Sequence, residues 1–251
     1  AANIGNDQFG RWLREEFGNR AEKWPVSPEG TTLSVGITHP DGERTFFTTR
    51  GHLPRLSLED VLSVLEAAKL AGGIALLGGA FLTDDLTKGY SAFFDWADGH
   101  GIAVALDTGW PMDGWTEANR VAVTNWLSRC TLALFNEIET TTLAGRDDPC
   151  EAARKLQAGM KKGATVVVKR GPHGALAIGP DGALASATAP CVAVVDTIGA
   201  GDVFNAAFLA ALAREEPLAA CLAAGIQVAS RAISTRPRFY GGPLPLEETT
   251  A

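Results

Sequence analysis

Apolar positions along this chain change period several times, and each change predicts an element. Phe9, Trp12, Leu13 and Phe17 recur at helical spacing within residues 1–24. Residues 31–37 and 44–49 are rich in β-branched and aromatic side chains, with Pro40-Asp41-Gly42 as turn chemistry between them, and predict a hairpin. From Ser57 the pattern alternates. Ser57 caps a helix with acids in its first turn and Val61, Leu62, Val64, Leu65 and Ala68 on its apolar face. Strands follow at 73–79, 102–107, 132–135 and 165–169, separated by helices at about 84–98, 116–129 and 150–162. Short apolar runs ended by glycine, with helices between them, are strands buried on both faces of a mostly parallel, doubly wound sheet. Residues 175–178 and 183–185 flank Pro180-Asp181-Gly182 and predict an antiparallel hairpin at the sheet edge. Two last helices, 202–214 and 218–233, are parted by Pro217, and the alanine-rich face of the second permits close backbone packing.

The totals narrow the class. A chain of 251 residues, 46% hydrophobic and 20% charged, has room for one large α/β domain or two small ones. Its net charge of -7 excludes a general nucleic-acid binder while leaving a nucleotide ligand open. No apolar run approaches the ~20 residues of a membrane span, and the opening Ala1–Asp7 does not read as a signal peptide. Cys130, Cys150, Cys191 and Cys221 are scattered, with no Cys-x-x-Cys, and are expected as reduced, buried thiols of a cytoplasmic protein. The four histidines show no metal-ligand spacing.

The candidate chemistry centres on Asp196-Thr197-Ile198-Gly199-Ala200-Gly201-Asp202, directly ahead of an apolar helical run. Small residues let the backbone approach a ligand, and free amides at a helix N-terminus favour an anion. Asp202 at that mouth would repel a resting phosphate, so its expected task is to take a proton from an attacking hydroxyl. Phosphoryl transfer needs that combination of positioning and charge stabilisation. The bland alternative is a capped helix after an ordinary turn. In open α/β sheets ligands lie at the carboxyl ends of strands, which directs attention to Asp107, Asn136-Glu137-Ile138-Glu139 and Lys169. Asn136 and Glu139 could equally do no more than open a surface helix, and Lys169 could reach to solvent.

The whole heptapeptide resembles the C-terminal signature of the ribokinase-like (PfkB) family of sugar and nucleoside kinases. The resemblance implies a ribokinase-like α/β fold, with a large domain over 1–30 and 51–251 and a β-hairpin lid over 31–50. It implies that Gly199, Ala200 and Gly201 form the anion hole and that Asp202 is the base. Asn136-x-x-Glu139 is similar to the family's Asn-x-x-Glu motif, which implies Mg²⁺–phosphate binding, with Glu139 acting through water. Lys169, Gly171 and Gly174 match a strand end followed by Gly-x-x-Gly at the nucleotide phosphates, and Thr197 belongs to the same cofactor set. Gln227 falls where members often contact adenine. Asp196 and the Ile198 carbonyl fall where many bind a monovalent cation such as K⁺. Asp107 matches a family Asp, but Thr108 and Gly109 replace its usual Pro and Asn. Asp107, Asp202 and Arg50 are the expected substrate contacts, although Arg50 also reads as a solvated charge.

Further implications are ATP as phosphoryl donor, a small sugar or sugar acid as acceptor, and a homodimer built through the lid. A nucleoside kinase, or a non-catalytic nucleotide-binding relative, is the alternative. Gly5–Gly10 is similar to a segment that members carry after a strand with a substrate-binding Asp and a Gly-Gly segment. Neither has a counterpart here. A parallel sheet without its central strand would keep unpaired edges, which leads to the expectation that this sequence is part of a longer one.

Overall fold

A computed structural model describes residues 1–39 and 44–240. The chain forms two compact units, one of residues 1–103 and 108–114, the other of 104–107 and 115–251.

The first unit opens with strand β1 (Ile4–Gly5), helix α1 (Gln8–Phe17) and strand β2 (Val26–Ser27), β1 and β2 being parallel. Asp7 caps α1 by accepting from the Gly10 amide, and it also accepts from the Thr31 amide and hydroxyl. Those bonds, the Thr31 hydroxyl first, hold its carboxyl down at about 2. Strands β3 (Ser34–Thr38) and β4 (Arg44–Thr48) form the expected antiparallel hairpin, while its Pro40-Asp41-Gly42 turn lies outside the described residues. The helix expected from Ser57 is broken into α2 (Leu58–Val64) and α3 (Ala67–Leu70). Its start is as expected, with Ser57 and Asp60 forming a reciprocal capping box. Strand β5 (Ile74–Gly78) follows, then α4 (Asp84–Lys88) and α5 (Tyr90–Gly99), where a single helix was expected.

The second unit carries the carboxyl end of β6 (Ala103–Asp107), then α6 (Glu117–Leu127), β7 (Leu132–Asn136), α7 (Glu137–Ala144), α8 (Pro149–Ala158) and β8 (Thr165–Lys169). It ends with β9 (Ala175–Ile178), β10 (Leu184–Ala187), α9 (Ala200–Leu212) and α10 (Leu218–Ser234). Here the strand order is β10-β9-β8-β7-β6; β6, β7 and β8 are parallel, and β9 and β10 run antiparallel at the edge as expected. Ala133, Leu134 and Phe135 of β7 and Val166, Val167 and Val168 of β8 are fully buried, which is why these strands lack polar alternation. Phe208 of α9 and Leu222 of α10 are fully buried as well. Parallel pairing sets Asn136 opposite Lys169, so the polar ends of neighbouring strands emerge together.

Candidate active site

The turn ahead of α9 is built by its own backbone. Gly199 takes a left-handed conformation, φ 71° and ψ 10°, and serves as the N-cap. Asp196 accepts from the Ile198 amide at 2.9 Å, and Thr197 carbonyl accepts from the Ala200 amide at 3.1 Å. The helix therefore begins two residues earlier than expected, at Ala200, and Gly201 and Asp202 occupy its first turn. The Ala200 amide is engaged and is not a free donor. Among the described residues the Gly201 and Asp202 amides have no hydrogen-bond acceptor, as the first turn of a helix requires of some donors.

Asp202 reaches back over this turn. A β-carbon built on Gly199 would lie 3.8 Å from Asp202 Oδ2. The side chain is solvent-accessible, yet enough protein surrounds it that desolvation raises its carboxyl above the ordinary aspartate range. The charge of Asp107 adds to the rise, and Lys169 opposes it. A carboxylate that is accessible and more basic than usual suits proton abstraction.

Lys169 does not reach to solvent. Its ammonium donates to Asp107 Oδ2 at 2.7 Å and to Asn205 Oδ1 at 3.2 Å, and only 13% of the side chain is exposed. Asn205 Nδ2 also donates to Asp107 Oδ2. Asp107, expected as a substrate contact, thus spends one oxygen on two donors of the protein. A β-carbon on Gly201 would stand 3.4 Å from Lys169 Nζ, which places the ammonium beside the open amides. Next in the chain, Arg170 pairs with Glu137 at 3.1 Å, leaving Lys169 to Asp107.

Asn136 and Glu139 form a reciprocal capping box for α7: the Glu139 amide donates to Asn136 Oδ1 at 2.8 Å, and the Asn136 amide to Glu139 Oε2 at 2.9 Å. Both groups have the role of a cap. Glu139 is buried, and desolvation raises its carboxyl, with Asp107 adding to the rise. A buried oxygen donor held near a second carboxylate is suited to a hard divalent ion, whose charge would relieve that repulsion. Among the described residues no cluster of three or more His, Cys, Asp and Glu could hold a metal by itself.

The other expected residues fall apart more widely. Gly171 and Gly174 bound a short helical turn. At Gly174 a side chain would meet the Ala187 carbonyl at 2.0 Å, so packing alone demands that glycine. Thr197 and Gln227 are exposed on the second unit. Arg50, in the first unit, pairs with Asp84 on the surface. The two oxygens expected to hold a monovalent cation are instead held by a guanidinium: Arg238 donates to the Ile198 carbonyl and to the Asp196 carboxylate. Its planar fork meets both at once, with the charge such an ion would have carried. Sequence reading missed Arg238, 40 residues away from Ile198, and no local pattern signals it. It also missed Asn205, for which a signal existed: one amide within the apolar run from Val203 to Phe208, a helical turn past Asp202. Of the four cysteines, only Cys130 and Cys221 are buried; Cys191 is exposed, and burial pushes the Cys130 thiol up to about 12.

The family model described as pfkB family carbohydrate kinase matches residues 2–237. The chain belongs to that family. Mouse ketohexokinase (Mus musculus) is 45% identical over 82 residues, which are 32% of this chain and 28% of that protein. Adenosine kinase from Sinorhizobium meliloti superposes with a TM-score of 0.77 at 21% identity, covering 98% of this chain and 74% of its own. Arabidopsis thaliana ribokinase complexed with ribose and ATP gives 0.73 at 22% identity, with 94% and 75% covered. At these identities the solved structures establish the fold, which is α/β and ribokinase-like. The turn at 199–202 lies in the same compact unit as Lys169, Asp107 and Asn205. No helix among the described residues is long and apolar enough to cross a membrane.

Proposed function

We propose that this pfkB chain transfers the γ-phosphoryl group of ATP to a hydroxymethyl group of a small sugar or sugar acid. The observation that carries the reading is the accessible Asp202 carboxylate, raised in basicity, over a helix N-terminus with open amides and a lysine ammonium beside it. Asp202 takes the proton of the attacking hydroxyl as the new oxygen–phosphorus bond forms and the bond from the γ-phosphorus to the departing ADP breaks. The amides of Gly201 and Asp202 stabilise the charge on the migrating group, and Lys169 adds a fixed positive charge. Asn136 and Glu139 close the site on the nucleotide side. Mg²⁺, held through water near Glu139, would supply neutralisation of the phosphate charge. Leu33, Val35, Ile37, Phe46 and Phe47 expose apolar surface on the β3–β4 hairpin, which supports its pairing with a second copy as a lid.

A thermal-shift screen of sugars, sugar acids and nucleosides with Mg²⁺–ATP identifies the acceptor, since a specific ligand raises the melting point by mass action. Turnover of that acceptor is then compared between wild type and Asp202→Asn. The variant is expected to lose about a thousandfold or more in kcat. Unchanged turnover removes Asp202 as the base.

A further inference from the structure

Asn205 is fully buried in α9, yet it is not idle polarity. Its amide oxygen accepts from Lys169 and its amide nitrogen donates to Asp107, whose same oxygen also accepts from Lys169. The three side chains form a closed triangle, and asparagine suits it because the site needs a donor and an acceptor on one short side chain. A lysine stem has four rotatable carbons, and nothing on strand β8 by itself would hold the ammonium beside Gly201. We propose that Asn205 is a positioning residue for phosphoryl transfer: with Asp107 it clamps the Lys169 ammonium against the Gly199–Gly201 turn. The inference rests on the kinase reading above, and it moves Asp107 from substrate contact to clamp. Burial makes the clamp rigid, because an ammonium or a carboxylate deprived of its partner there would stand uncompensated.

The test uses the whole chain as wild type, Asn205→Leu, Asn205→Asp and the exchange Asp107→Asn with Asn205→Asp. The exchange keeps volume, charge and both kinds of hydrogen-bonding group, so it folds where a truncation could fail. Two quantities are read: kcat and KM with Mg²⁺–ATP and the acceptor from the screen, and the rate at which an amine-acetylating reagent modifies Lys169, by peptide mass spectrometry. Asn205→Leu is expected to lower kcat about a hundredfold with KM little changed, and to speed Lys169 acetylation. Asn205→Asp sets two carboxylates together and is expected to lose at least as much kcat. The exchange is expected to return kcat to within about tenfold of wild type, with acetylation slow again. An exchange no better than Asn205→Asp alone overturns the proposal, since Asp107 then acts at its own place. Lys169 acetylation unchanged in Asn205→Leu overturns it as well. A wild type that phosphorylates none of the acceptors sinks the kinase reading, while the acetylation rates still decide the clamp.

Discussion

Two turns in the second unit, 171–174 and 199–201, are each bounded by glycines and answer to different forces. In the first, Gly174 has φ 84° and no room for a side chain, because the Ala187 carbonyl and the backbone of Thr188 and Ala189 close over it. The carbonyl of Gly174 accepts from the Arg170 amide at 2.8 Å, so this turn is tied to its neighbours. In the second, only Gly199 has positive φ. Gly201 has ordinary helical backbone and faces the Lys169 ammonium at contact distance, with an unengaged amide. The first glycine is required by the fold, while at the second a side chain would meet only the Lys169 ammonium. A glycine in a sequence motif signals proximity, and only the surroundings say whether the neighbour is the protein or a ligand.

Substitution breaks the comparison most visibly at position 174. Gly174→Ala sets a methyl group against backbone that cannot move independently, in a conformation that alanine resists. A loss of about 3 kcal/mol is expected, seen as a melting point lower by roughly 6–12 °C. Gly201→Ala is expected to do the opposite. Helical backbone accepts alanine, and stability holds or rises by about 0.5–1 kcal/mol. The same methyl takes space beside Lys169 where a phosphoryl oxygen would enter, so kcat is expected to fall about ten- to a hundredfold. Equal melting losses at the two positions would end the distinction.

The smallest effect concerns pH. The Asp202 carboxyl is raised in the folded protein, so the folded state binds its proton more tightly than the unfolded chain does. Ionisation at neutral pH therefore costs stability. Asp202→Asn is expected to melt higher than wild type at pH 7, with the gain vanishing near about pH 3, where Asp202 is protonated in both states. In wild type, the acid limb of kcat/KM is expected above the ordinary aspartate range, because the base must be ionised. Melting curves at the two pH values and a pH–rate profile check both halves. A limb within the ordinary range would place the essential carboxylate elsewhere.

Local chemistry was legible before any coordinates. Ser57, Thr116 and Asn136 announce helix starts, and all three serve as caps. The runs at 132–135 and 165–169 read as buried parallel strands, and both are; their apolar residues need no partner to declare that they avoid water. The signature around Gly199 gave the helix N-terminus, although not its first residue, since helix ends are set by competing hydrogen bonds. Breaks were hidden: the helix expected at about 84–98 divides at Gly89, where a β-carbon would stand 2.8 Å from Leu58.

Pattern and motif by themselves determined that strands alternate with helices and where their polar ends fall. Each of those depends on neighbours along the chain. Tertiary structure alone decided that Lys169 faces Asp107, that Asn205 joins them from 36 and 98 positions away, and that Arg238 holds Asp196 and Ile198. A charge finds its partner through space and through desolvation, and neither is written in the spacing of residues.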